Sequence, residues 1–338
     1  MPKYLVVCDY ADKFPNYFKD ENIYNDHYKK ENLHKIVETI NSLGYKCEYY
    51  GGVDDLIKAV HDKTAYDKVV FLNFNDGLTQ LHKRGQTPIL LEMLTDSFSG
   101  PDAFAALLAD DKYGAGSVVK TLDCVKVPNH ILYKYNDPCN SHAISQLAFP
   151  VIAKPNNEGS SIGIDQSSFC ENIDDLQNYI NKHRGTFDNI LLEEYIQGFE
   201  FTVFLIGNNE EFIINQPLAI GLQGKYWLEK EIFDAQCKRA KARCYCAPEM
   251  LLSTCDINKL KNAAEQIFKV LRLRDLARID FRYRNGDIYF IEANTVPAIG
   301  EHSDAGQVCK IREMEFADFI KAIIHAVNKR LHINNALD

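Results

Sequence analysis

VIAKPNNEGSSIGI, residues Val151–Ile164, reads as an apolar strand ending on a lysine, then a turn, a small-residue loop and a second short strand. Lys154 stands at the strand end, where a cation can meet a phosphate. Gly159, Ser160, Ser161 and Gly163 carry little or no side-chain bulk, so their backbone N–H groups can close over an anion. No Gly-Lys-Ser/Thr opens a helix here, which excludes the P-loop pattern. Taken alone, the stretch also fits a tight hairpin with a solvated lysine.

A second stretch, LARIDFRYRNGDIYFIEANTVPAIGEHS, spans Leu276–Ser303. Two alternating segments flank Asn285-Gly286, a strong hairpin signal. Arg278 and Asp280 are two apart and share a face, as do Glu292 and Asn294. If the two faces coincide, two acids, an amide and a guanidinium converge. Asp280, Glu292 and Asn294 are hard oxygen ligands without His or Cys, a set that suits Mg²⁺ also holding phosphate. A surface salt-bridge cluster is the competing reading. Against it, Glu292-Ala293-Asn294 lies inside an apolar strand, where unpaired polar groups are costly.

These residues carry a resemblance to ATP-grasp ligases, specifically the D-alanine–D-alanine ligase branch. That family's loop, Lys-Pro-x-x-Glu-Gly-Ser-Ser-x-Gly, stands intact at Lys154–Gly163. Its hinge and ribose segment matches Glu193–Val203. Its metal strands match Arg278-Ile279-Asp280 and Glu292-Ala293-Asn294-Thr295, with Pro297 and Ser303 at the family spacing. Weaker matches precede them at Pro88–Glu92, Ser99–Asp102 and Asp111-Lys112. All run in family order from Pro88 to Ser303.

The resemblance implies an α/β fold class with α+β lobes, in the three-lobed ATP-grasp architecture. A small parallel-sheet lobe is expected over 1–102. A central lobe with the phosphate-covering loop follows over 103–188, and a C-terminal lobe with the metal site and a mobile loop over 189–338. The residue pattern points the same way. Strands Lys3–Cys8, Tyr45–Tyr50 and Lys68–Asn73 alternate with helices Tyr28–Leu43 and Val53–His61, a βαβαβ series that predicts a parallel sheet. Gly85–Gly100 bears turn signals around a short helix. Further helices are expected over Lys112–Leu122, Ser141–Leu147, Ile173–Lys182, Asp256–Leu271 and Met314–Leu331. Ala219–Ala247 shows no clear periodicity, and such a stretch in a compact domain is usually functional or disordered.

Composition narrows the function classes. The 338 residues carry a formal charge of −9, which argues against a nucleic-acid partner. No apolar run is long enough to span a bilayer. Met1–Cys8, followed at once by Asp9, reads as a first strand and not a signal peptide. The 10 cysteines are scattered. Cys237, Cys244 and Cys246 cluster without a second pair or nearby histidines, so reduced cytosolic thiols are the simpler reading. A cytoplasmic protein acting on small molecules is expected, with no membrane or nucleic-acid partner.

The family's chemistry places ATP between the central and C-terminal lobes. A carboxylate takes the γ-phosphate, and an amine then attacks the acyl phosphate. The resemblance assigns Lys112 and Lys154 to the phosphates, with Ser160 and Ser161 covering them. For Lys112, a surface lysine at a helix start stays open as the alternative. It assigns Glu193 to the adenine amino group, the backbone of Glu194, Tyr195 and Ile196 to the hinge, and Glu200 to the ribose. Asp280, Glu292 and Asn294 become ligands of two Mg²⁺ ions (Mn²⁺ could serve), with Glu292 bridging. Arg278 stabilises the developing oxyanion. Lys238, at the family's spacing from Asp234, reaches the γ-phosphate from the mobile loop. Ser303 binds the acceptor's carboxylate and Ser160 lies near the acceptor. Dimers through the N-terminal lobe are common in the family.

The N-terminal third departs from the pattern. Cys8-Asp9-Tyr10-Ala11-Asp12 stands where the family has Gly-Gly-x-Ser-x-Glu, whose glutamate binds the donor's α-ammonium; Asp9 or Asp12 could substitute. The family's His-Gly-x-x-Gly-Glu-Asp-Gly loop is reduced to Asn73-Phe74-Asn75-Asp76-Gly77, and Ala298 replaces a glycine. Arg239 follows Lys238 where tyrosine is common. Lys241 and Arg243 add charge, as a solvated lid or for an acceptor more acidic than alanine. The nucleotide site is retained and the donor site rewritten. The expected function is an ADP-forming carboxylate–amine ligase on amino-acid-like substrates. The alternatives are a true D-alanine–D-alanine ligase, a kinase on the same fold, and a non-catalytic nucleotide-binding regulator. Arg278 and Ser303 disfavour the kinase, and the full metal set disfavours the regulator.

Overall fold

The computed structural model describes residues 2–10, 28–78, 82–137, 140–159, 161–209, 211–234, 237 and 242–333. Strands β1 (Lys3–Val7), β2 (Lys46–Gly51) and β3 (Val69–Asn73) form a parallel sheet in the order β2-β1-β3, as the βαβαβ pattern predicts. It is buried on both faces, as parallel sheets are. Tyr4 and Val6 enter one core, Leu5 and Val7 the other. Helix Lys30–Ser42 lays Leu33, Ile36 and Ile40 on the first core. Helix Lys83–Leu94 is longer than the short helix expected there and contains Pro88.

The second sheet is antiparallel. It joins β4 (His130–Lys134), β5 (Val151–Pro155), β6 (Phe169–Cys170) and β7 (Asn189–Glu194) in the order β4-β7-β5-β6. Helix Ile173–His183 covers it with Leu176, Tyr179 and Ile180, and Asn172 caps that helix by accepting from Asp174 N–H and Asp175 N–H. β7, expected at the start of the C-terminal lobe, lies between β4 and β5. Its run Ile190-Leu191-Leu192 is fully buried, which suits a central strand.

The third sheet holds β8 (Gly198–Asn208), β9 (Glu211–Leu222), β10 (Trp227–Leu228), β11 (Arg243–Cys246), β12 (Asp275–Arg284) and β13 (Asp287–Asn294). The path is β11-β9-β8-β12-β13, with β10 on β8. The segment read as aperiodic therefore carries the end of β9 and two short strands among its described residues. Asn285 and Gly286 both take positive φ, 53° and 92°, as the tight turn between β12 and β13 requires. β8 alternates: Phe201, Val203 and Leu205 pack with helix Thr254–Val270, while Phe204 and Ile206 pack with helix Phe316–Arg330. That last helix is shared between the large sheet and the parallel sheet. Each large apolar side chain buried there, such as Phe319, contributes about 1.5–3 kcal/mol.

Helices Ala103–Asp110 and Lys112–Val119 also join the large sheet. Ala109, Ala115 and Val119 lie in its core, although the boundary at 103 assigned them to the central lobe. The first of these helices was not expected. Asp102 caps it by accepting from Ala105 N–H at 2.9 Å, and its Ala/Leu composition favours helix. No helix among the described residues is long and apolar enough to cross a membrane.

Candidate active site

The two antiparallel sheets, with Tyr28, Asp76 and Arg84 from the N-terminal part, wall a cleft with a cavity volume of about 610 Å³. At its centre the two polar faces of the hairpin coincide. Across β12 and β13, Arg278 stands opposite Asn294 and Asp280 opposite Glu292. Arg278 grips Asp280 with Nε at 3.0 Å and Nη2 at 2.8 Å, and its Nη1 donates to Asp304 at 3.2 Å. Thr202, facing Asp280 from β8, donates its hydroxyl to Asp280 Oδ1 at 2.5 Å. Lys112 Nζ lies 3.5 Å from Glu292 Oε2.

These charges set one another. Burial alone would raise the Glu292 carboxyl, but Lys112, Arg278 and Lys154 hold it well below the usual carboxylate range. Asp280 moves the other way, because burial and the neighbouring Glu292 outweigh Arg278. Burial opposes the charge on Arg278, yet Asp280 and Asp304 reverse the balance and keep the guanidinium charged. Two crowded carboxylates facing one cleft form a donor set that fits a hard divalent cation. Asn294 donates Nδ2 to Asp280 and to Glu292, each at 3.3 Å. As a ligand it would turn its amide over to present Oδ1. Among the described residues no group of three or more His, Cys, Asp or Glu could hold a metal. Two acids and an amide instead suit Mg²⁺ shared with phosphate.

The small-residue loop is fixed from its flanks. Asn156 donates to Asp111 Oδ1 at 2.8 Å and accepts from Tyr113 N–H at 2.9 Å. Lys112 Nζ donates to the Glu158 carbonyl at 2.5 Å, and Lys83 donates to the Glu158 carboxylate at 2.9 Å. So Lys112 is not a surface lysine; it is buried at the loop and faces Glu292. A Cβ on Gly163 would stand 2.5 Å from Pro155 Cγ, at a φ of +71°. Ser161 also has positive φ, and its hydroxyl donates to the Phe233 carbonyl at 2.5 Å. Ser160 and Lys238 lie outside the described residues.

At the other end, Lys154 and Glu193 form a buried pair at 3.1 Å. Tyr195 and Ile196 line the cleft and are buried. Glu194 is half-buried, accepting from Asn129 Nδ2 at 3.1 Å and Ala148 N–H at 2.9 Å. Glu200 faces Arg282 across β8 and β12 and pairs with its Nε at 2.9 Å. Burial still pushes the Glu200 carboxyl up, with Arg282 opposing. Ser303 lines the cleft just before helix Asp304–Ile311, and its hydroxyl donates to the Gly300 carbonyl at 2.8 Å.

The structure corrects one reading. Asp9 is fully buried and absent from the cleft wall. Its Oδ2 accepts from Val53 N–H at 3.0 Å and Asn75 Nδ2 at 2.8 Å, at the start of helix Val53–His61. It serves that helix terminus, where an acid is favoured, and not a substrate. Asp12 lies outside the described residues. On the N-terminal side the wall is instead Tyr28 and an Asp76–Arg84 ion pair. The sequence reading also missed Arg282, Tyr245 and Asp304. For Arg282 the signal was present, since it continues the two-residue spacing from Arg278 and Asp280. For the others the contacts join distant segments, and no local pattern marks them.

Antiparallel sheets closing on a cleft of paired lysines, two carboxylates and a held guanidinium are those of an ATP-grasp ligase, which forms an amide bond with ATP. The family model described as "D-ala D-ala ligase C-terminus" matches residues 119–325. The chain belongs to the D-alanine–D-alanine ligase family. It is 25% identical to the D-alanine–D-alanine ligase of Thermotoga petrophila over 290 residues, covering 86% of this chain and 89% of that protein. To that of Aquifex aeolicus it is 28% identical over 236 residues, covering 70% and 75%. The fold is shared with the ATP-complexed D-alanine–D-alanine ligase of Bacillus anthracis, with TM-score 0.74, 14% identity and 98% of each chain covered. It is shared also with the VanG D-Ala:D-Ser ligase of Enterococcus faecalis, with TM-score 0.69, 18% identity and 97% and 100% covered.

Proposed function

We propose that this ligase activates an amino-acid carboxylate other than D-alanine's and joins it to an amino-acid amine. The observation that carries the reading is the convergence of Arg278, Asp280, Glu292 and Asn294 with Lys112 and Lys154 in one cleft, beside an N-terminal wall of Tyr28, Asp76 and Arg84. The lysines bind the ATP phosphates. Glu193 and the Glu194–Ile196 backbone bind adenine, and Glu200 binds ribose. Two Mg²⁺ ions, held by Asp280, Glu292 and Asn294, would neutralise phosphate charge. A donor carboxylate oxygen bonds to the γ-phosphorus and ADP departs. The acceptor amine then attacks the acyl carbon, inorganic phosphate leaves, and the amine gives up a proton. Arg278, held in place by Asp280 and Asp304, meets the oxyanion of that second step. Ser303 and Ser160 serve the acceptor. The enzyme acts in the cytoplasm, as a homodimer.

Hydroxylamine tests the reading. With ATP, Mg²⁺ and the correct donor it should capture the acyl phosphate as a hydroxamate, whereas a kinase or a nucleotide-binding regulator yields none. Offering L- and D-amino acids as donors identifies the substrate, and a hydroxamate from D-alanine alone would restore the peptidoglycan donor. Lys238→Ala should lower kcat by about tenfold or more with little change in the Kd for ATP, since a loop lysine acts on the closed state. A loss confined to nucleotide affinity in stopped-flow binding would remove Lys238 from the chemistry.

A further inference from the structure

Most cations on the cleft wall have a close carboxylate. Lys154 pairs with Glu193 at 3.1 Å, Arg282 with Glu200 at 2.9 Å and Arg278 with Asp280 at 2.8 Å, while Arg84 pairs with Asp76. Arg243, on the edge strand β11, differs. The carboxylate nearest to it in an ion pair is that of Asp304, at 3.6 Å from Nη1. Asp304 already accepts from the Tyr245 hydroxyl at 2.9 Å and from Arg278 at 3.2 Å. Arg243 Nε is buried and has no hydrogen-bond acceptor among the described residues.

The guanidinium is nonetheless held. It lies over the Phe233 ring, 5.1 Å from the centroid, and its side chain is only 21% exposed. That rules out a solvated lid for this residue. A planar guanidinium with one face on an aromatic ring, Nη1 toward Asp304 and Nε–H unmet keeps a donor on its Nε edge for a carboxylate. The edge lies beside Asp304, the residue that follows Ser303. Lys112 and Lys154 mark the phosphate side of the cleft; the small-residue loop meets the Arg243 side through the Ser161 hydroxyl, which donates to the Phe233 carbonyl at 2.5 Å.

We propose that Arg243 anchors a second carboxylate on the amine acceptor, so that the acceptor is a dicarboxylic amino acid of the aspartate or glutamate kind. The inference rests on the ligase reading, with Ser303 on the acceptor side. The acceptor's α-carboxylate goes to Ser303, its side-chain carboxylate goes to Arg243, and its amine faces the activated carbonyl near Arg278.

The test uses the full chain with ATP, Mg²⁺ and the donor identified by hydroxamate formation. Both enantiomers of aspartate, glutamate, alanine and serine are compared as acceptors by phosphate release and product mass. An acidic acceptor should exceed alanine in kcat/KM by about tenfold or more. Arg243→Ala should raise the KM for the acidic acceptor by a similar factor while the KM for ATP holds. Arg243→Lys should recover part of the loss, since it keeps the charge without the fork. ATP-induced thermal shifts check that the variants fold. A wild-type preference for alanine or serine overturns the proposal. So does a rise in the KM for ATP alone, which would place Arg243 on the phosphates. Hydroxamate without any dicarboxylic product refutes the acceptor assignment and leaves the ligase standing; no hydroxamate from any donor refutes both.

Discussion

Glu292→Gln is expected to lower kcat by about 10²-fold or more with the fold retained. Glutamine keeps the shape of the side chain and removes its charge. That charge stands opposite Asp280 and within reach of Lys112 and Arg278, so under the proposed assignment it belongs both to the cation site and to the charge balance around Arg278. Steady-state phosphate release measures the loss, and circular dichroism checks the fold. Undiminished turnover would remove the metal assignment. The pH dependence has a definite sign. Burial opposes the Glu292 charge, but Lys112, Arg278 and Lys154 depress its folded pKa below the ordinary carboxylate range. A depressed acid contributes stability above its unfolded pKa and loses it as pH falls toward the folded one. The wild type should therefore melt above Glu292→Gln at pH 7, and the gap should narrow as the pH drops below the ordinary glutamate range.

The largest stability effect is expected at Asp275, far from the chemistry. Its carboxylate is 1% exposed and accepts from Arg330 Nε at 2.9 Å, Arg330 Nη2 at 2.7 Å, Asn208 Nδ2 at 2.9 Å and Gly100 N–H at 2.9 Å. Arg330 also donates to the Phe98 carbonyl at 2.6 Å, and Arg274 to the Gly100 carbonyl at 2.9 Å. One acid thus ties the loop leaving the parallel sheet to β12 and to the last helix. Asp275→Ala would remove the buried partner of this ion pair and leave the partly buried Arg330 without its counterion, at a cost of about 3 kcal/mol or more. The alanine would also occupy a φ of +64°, which it tolerates poorly. Thermal denaturation should show a Tm fall on the order of 10 °C. Asp275→Asn keeps the shape and accepts that φ, so it should recover the backbone part of the loss. Equal melting of Asp275→Ala and wild type would mean that the joint carries no net stability.

Legibility followed the range of the interaction. Arg278 with Asp280, and Glu292 with Asn294, were readable because residues two apart on a strand share a face, and Asn285-Gly286 announced the turn that brings those faces together. Lys154 and the loop after it were readable because a continuous run of small residues has few other uses beside a strand-end lysine. The βαβαβ order predicted the parallel sheet. The placement of β7 was not readable from its run Ile190-Leu191-Leu192, since an apolar strand can be central in either antiparallel sheet. Asp9 misled for a similar reason: an acid after a first strand can face a ligand or a helix terminus, and only packing against Val53 and Asn75 distinguishes the two.

By itself the sequence determined the local patterns on which the proposed nucleotide and cation sites rest: a loop, a hairpin, a two-residue spacing. Only the tertiary structure decided the rest. It brought Asp304 onto Arg278 and Tyr245 onto Asp304, set Arg243 on Phe233 beside them, and closed the N-terminal wall with Asp76 and Arg84. The contacts of Asp304 with Arg278 and Tyr245 join residues 26 and 59 apart. Their partners are chosen by which apolar faces must be buried together, and no short stretch of sequence records that choice.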